Sequence, residues 1–128
     1  MKTFKQFIDE SKEKINHKLV DLKILNEMST ICRKKDGFGF IAQIYSNDHN
    51  PPHIHISDTD GKELGQIYIT NKIPQKIEDI LVYKGNVDKV IDKIVEWANK
   101  KSKYSIMNWN RAKQTWEDNH SDDEVKFK

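Results

Sequence analysis

The stretch Thr30–Asp48, TICRKKDGFGFIAQIYSND, decides the fold class, because two runs rich in β-branched and aromatic residues flank Asp36-Gly37. Asp-Gly between such runs signals a hairpin, since glycine tolerates the positive φ that tight strand-to-strand turns require. Strands are predicted around 29–34 and 38–46. Downstream, Pro51-Pro52 interrupts pairing because proline has no N–H to donate, and HIHIS at 53–57 resumes as a short strand. Asp60-Gly61 makes a second turn into KELGQIYIT at 62–70. The centre of the chain reads as an antiparallel meander of three to four strands.

After Pro74 the period changes. In NVDKVIDKIVEWANKK, Val87, Val90, Ile91, Ile94, Val95 and Ala98 fall at helical spacing, with Asn86 placed to cap. A second helix over roughly 103–117 carries Tyr104, Met107, Trp109, Ala112 and Trp116. Upstream, Phe4, Phe7, Ile8, Ile15, Leu19 and Leu22 recur at three-to-four spacing, so residues 1–27 read as a helical extension capped by Thr3. Residues 118–128 are too charged to bury and read as a flexible tail. The expected fold is α+β: one domain over 28–117, with two C-terminal helices packed on one face of the meander.

A chain of 128 residues closes one modest core. With 33% charged residues and a mean hydropathy of -0.82, that core must be compact. Lys and Arg number 22 against 20 Asp and Glu, a net charge of +2, which gives no broad basic face and argues against duplex DNA. Cys32, the single cysteine, has no disulfide or C-x-x-C partner and suits a reducing compartment. No apolar run approaches the ~18 residues of a membrane helix, and the N-terminus lacks a secretory h-region. A cytoplasmic, membrane-free protein is expected.

Function concentrates at Ser46–Ser57, SNDHNPPHIHIS, where three of five histidines fall within seven residues. Alternation on a strand puts His53 and His55 on one face and sends Ile54 and Ile56 into the core. The Pro-Pro turn can fold His49 and Asp48 back toward the imidazoles. Three readings of this loop compete with an ordinary turn, for which Asp48, Asn50 and the prolines suffice but the imidazoles do not. A divalent metal could be held by His49, His53 and His55 with Asp48 nearby. Histidine acid–base chemistry on a phosphoester is the second. His55-Ile56-Ser57 supplies one H-x-S step where two-histidine phosphoesterases use two, so that route needs a homo-oligomer. Third, Asp48, His49, Asn50, His53 and His55 could grip a small anionic or nucleotide-like ligand, with Arg111 supplying charge.

The three tryptophans, Trp97, Trp109 and Trp116, read as core rather than as a base-stacking platform, with Trp109 in MNWNR the one to watch. The runs RKK at 33–35 and NKKSK at 99–103 read as solvated charge, the second suiting the negative end of the preceding helix.

From Met28 to about Trp116, the pieces MSTICR, YSNDHNPPHIHI, IVEWANKK and MNWNRAKQTW resemble, in order, a group of small bacterial domains of unknown function with an N-D-H-x-P-P-H-[FI]-H signature. The resemblance implies an α+β fold and no defined activity, and it adds a toxin–antitoxin-type interaction module, binding a host or phage protein, to the alternatives. Separately, MKTFKQFIDE resembles the capsid-targeting peptides of internal head proteins of T-even-type phages, which implies cleavage after Glu10 and packaging in the phage head. Together these give the expectation of a phage-encoded accessory protein, of counter-defence type, acting in the host cytoplasm. Binding of a small ligand through the histidine loop is favoured over catalysis. The enzyme alternative is a metal- or histidine-dependent phosphodiesterase or nuclease.

Overall fold

The computed structural model describes residues 28–120 and 125–128; the helix expected over 1–27 and the cleavage after Glu10 lie outside them. Five strands form one antiparallel sheet in the order β1-β2-β3-β4-β5: β1 (Met28–Cys32), β2 (Ile41–Tyr45), β3 (His53–Ser57), β4 (Glu63–Tyr68) and β5 (Val82–Gly85). Two helices follow, α1 (Ile91–Ala98) and α2 (Asn108–Asn119). The class is α+β as expected, and the sheet has one strand more than the sequence suggests.

Turn chemistry sets the register of the meander. The first hairpin turns through a short 3-10 segment, Lys34–Asp36, where Asp36 Oδ2 accepts the Arg33 amide and Gly37 takes φ +83°. At the second, Asp58 Oδ1 accepts the amides of Asp60 and Lys62, which places Ser57 opposite Glu63. Pro74 is followed not by helix but by a turn at Ile77–Asp79 and then β5, so the helical period begins later than its flanking sequence suggests. Asn86 Oδ1 accepts the Asp88 amide ahead of a 3-10 turn, Asp88–Val90, that leads into α1.

One face of the sheet is dry. Ala42, Ile44, Ile54, Ile56 and Ile67 are fully buried against Ile94, Trp97, Ala98, Trp109, Ala112 and Trp116 of the two helices. Trp97 meets Phe40 edge-on at 5.8 Å and Trp109 at 6.3 Å. Trp109 is core, its indole N–H donating to Thr70 O at 2.9 Å. α2 starts five residues later than expected because Ser102–Ile106 forms a tight loop instead, closed by Ser102 N–H to Ile106 O, with Ser105 at φ +65°. At its other end the chain does not fray at 118: α2 continues to Asn119, His120 is buried, and Val125 and Phe127 pack on the core. No helix among the described residues is long and apolar enough to cross a membrane.

Cys32 lies fully inside this core, its thiol against Phe40 O. Burial, with the Asp36 carboxylate adding to it, pushes the thiol up to about 12. The folded state thus holds the proton that an unfolded thiol releases near 9, so this contribution to stability is complete below pH 9 and is lost as pH rises toward 12. Iodoacetamide at pH 8 is expected to leave Cys32 unmodified in the folded protein and to alkylate it fully in denaturant, read by intact mass. Rapid labelling without denaturant would contradict the burial.

Candidate metal centre

β3 begins where the Pro-Pro turn ends, and the local geometry follows from the backbone that turn fixes. The Asn50-Pro51 peptide is cis, Pro51 O accepts from His53 Nδ1–H at 2.7 Å, and Pro52 O accepts the Ile69 amide. His53 therefore has its Nδ1 committed as a donor and its Nε2 free of a proton in the neutral ring. Its neighbour on the same face, His55, stands between two carboxylates, with Nδ1 2.5 Å from Glu63 Oε1 across the β3–β4 turn and Nε2 toward Asp48.

The two Nε2 atoms converge on one oxygen. Asp48 Oδ2 stands 2.8 Å from His55 Nε2 and 3.3 Å from His53 Nε2, and the three ligand atoms all lie within 4.8 Å of one another. Asp48 reaches this point from a turn closed by its amide on Tyr45 O. The C-terminal end of α2 then braces the turn, with His120 stacked on Trp116 at 3.8 Å and its Nε2 donating to Asp48 O at 2.8 Å.

Alternation places Ile54 and Ile56 in the core, but it fails for His53, which is only 4% exposed. Its ring is covered by Trp116 at 5.4 Å and Tyr83 at 4.9 Å, side chains from α2 and β5 that close over the start of β3. Burial lowers the His53 pKa, with smaller pushes from His55 and Lys84, while Pro51 O and Asp48 act the other way. His55 and Asp48 remain partly accessible, their side chains 14% and 20% exposed, so the cluster opens on one side. Tyr45 sits edge-on to His55 at 4.6 Å. Burial, then the carboxylates of Glu63 and Asp48, raise its phenol pKa.

Of the residues singled out in the sequence, Asp48, His53 and His55 are brought together. His49 and Asn50 are exposed, and His49 is not among the convergent ligand atoms. Arg111 is elsewhere: it lines a cavity with Arg33 and Lys101 and packs on Tyr104. Glu63, Tyr83, Trp116 and His120 were not legible as site residues. Glu63 had a signal, since counting outward from the Asp60-Gly61 turn sets it opposite Ser57, diagonal to His55.

Asp48 Oδ2 faces both imidazoles, and His55 has a carboxylate at each ring nitrogen. A neutral ring has one N–H for those two acceptors, so the second contact is met by an added proton or by a metal ion. No curated protein and no solved structure matches the chain. One family model does, running from Gly39 through the whole of this cluster into the first turn of α2. By that match over residues 39–110 the chain belongs to the family described as a domain of unknown function, DUF4160.

Proposed function

We propose that the chain is a metal-binding protein in which Asp48, His53 and His55 hold one divalent transition-metal ion. The observation that carries this reading is convergence: the Nε2 atoms of His53 and His55 both face Asp48 Oδ2, while each Nδ1 is backed by an acceptor, Pro51 O or Glu63 Oε1. Acceptors behind ligating histidines fix the tautomer and raise the basicity of the ligating nitrogen. The two histidine–aspartate separations are near what such a site needs, and the two Nε2 atoms, within 4.8 Å of each other, would close on the ion. Two ligands each ~2.0–2.1 Å from zinc stand about 3.3 Å apart at the tetrahedral angle. The His53–Asp48 separation is 3.3 Å, and the 2.8 Å His55–Asp48 contact has to open by about half an ångström.

Two imidazoles and one carboxylate suit zinc and ferrous iron better than calcium or magnesium, which prefer all-oxygen shells. Three protein ligands leave a position for water, on the side where His55 and Asp48 reach solvent. The carboxylates at this loop favour a cation over the anion expected there from the sequence. The phage accessory role rests on the resemblance of the first ten residues, a separate support.

Calorimetric titration of zinc into the chelator-stripped full chain tests the reading. One ion per chain is expected, with affinity lost by more than ~100-fold in His55→Ala and by about 10–100-fold in Glu63→Gln, where only the acceptor behind the ligand changes. Zinc at 100 times its Kd should raise unfolding stability by about 2.7 kcal/mol. If the folded variants bind as the parent does, or if the parent binds nothing, the cluster holds protons rather than metal.

A further inference from the structure

The runs Arg33–Lys35 and Asn99–Lys103 are far apart in sequence and meet in space. They line one cavity of about 260 Å³ to which Arg33, Lys35, Lys100, Lys101, Lys103 and Arg111 all contribute. Among the described residues the only acid in its wall, Asp36, has its carboxylate engaged by the Arg33 backbone amide. Among the described residues none of these six cations forms an ion pair with a carboxylate. The whole chain carries a net charge of only +2, so positive charge is concentrated here against a remainder that is net negative. Compensation of the α1 C-terminus accounts for Lys100, Lys101 and Lys103. It does not account for Arg33 and Lys35 from the β1–β2 connection or for Arg111 from α2.

Beside the cavity stands Tyr104, 60% exposed, with Arg111 Cζ 5.0 Å and Lys103 Nζ 5.1 Å from its ring centroid. It sits in the tight Ser102–Ile106 loop, where Ser102 Oγ accepts the Tyr104 amide, so the aromatic ring is held outward rather than packed. A volume near 260 Å³ falls just short of the ~300 Å³ at which pockets for whole small molecules begin. A phosphate chain fits within it, and an attached base has to lie at the rim, where an exposed aromatic ring flanked by cations offers a stacking surface.

We propose that this cavity binds the phosphate chain of a nucleoside polyphosphate, with the base stacked on Tyr104. This site is separate from the metal centre and does not depend on it. The probes are ATP and inorganic tripolyphosphate, titrated calorimetrically into the full chain with chelator present.

Both probes are expected to bind one per chain. The exposed pair Arg33→Glu/Lys101→Glu should lower both affinities by at least ~10-fold. Tyr104→Ala should weaken ATP by about tenfold while leaving tripolyphosphate unchanged. His53→Ala should change neither. If the first pair fails to fold by circular dichroism, Lys35→Glu/Lys103→Glu replaces it. Absence of binding, or binding undiminished by charge reversal, overturns the site. Equal binding of both probes with no effect of Tyr104→Ala overturns the nucleotide assignment.

Discussion

Trp97→Ala is expected to destabilise the domain by about 3–5 kcal/mol, a large share of the 5–15 kcal/mol that holds a domain of this size together. The reason is position as well as size. Trp97 is 1% exposed and is the side chain at which the layers meet, touching Phe40 from the sheet side and Trp109 from α2. Its removal leaves a cavity between three elements that cannot all collapse into it. The backbone around it is also committed, with Trp97 O accepting the Asn108 side-chain amide, buried at the start of α2. Urea denaturation of the variant should show the loss as a lower midpoint at similar slope, and Trp97→Phe, which keeps a ring against Phe40, should lose less. A cost below about 1 kcal/mol for the alanine variant would show that the helices are held to the sheet elsewhere.

Much of this arrangement is legible in local sequence. Asp36-Gly37 and Asp60-Gly61 announce the hairpins, Ile54 and Ile56 announce the face of β3, and the Val87–Ala98 period announces α1. What is not legible depends on residues distant in the chain. Nothing in HIHIS says that His53 will be buried, because Trp116 and Tyr83 supply its cover. Likewise, RKK and NKKSK each look like ordinary solvated charge, and only the fold reveals that they share a cavity with Arg111. The sequence alone offers Arg111 to the histidine loop, because nothing local to it says otherwise. Asp48, by contrast, could be placed near the imidazoles from the chain alone, since a Pro-Pro turn leaves few paths between it and β3.

β5 was missed for a different reason, and it leads to the second large effect. The strand is four residues long, three of them exposed, and it ends in glycine, so it shows neither alternation nor length. Its pairing depends on that glycine. Gly85 lies opposite Gly65, at φ +73°, and a Cβ there would sit 2.5 Å from Leu64 O and 2.7 Å from Gly65 Cα. These are backbone atoms of the neighbouring strand and cannot rotate away. Gly85→Ala is therefore expected to cost about 2–5 kcal/mol, combining the left-handed conformation with overpacking. The loss should centre on β5, with Lys84 and Asn86 amides exchanging faster than those of β2 and β3. Tyr83 rides on this strand and closes one side of His53, so detachment should also re-expose the imidazole and weaken zinc binding without touching a ligand. A folded Gly85→Ala protein with parent-like exchange and zinc affinity would show that β5 is dispensable to the centre; loss of both together would show that the sheet edge positions it.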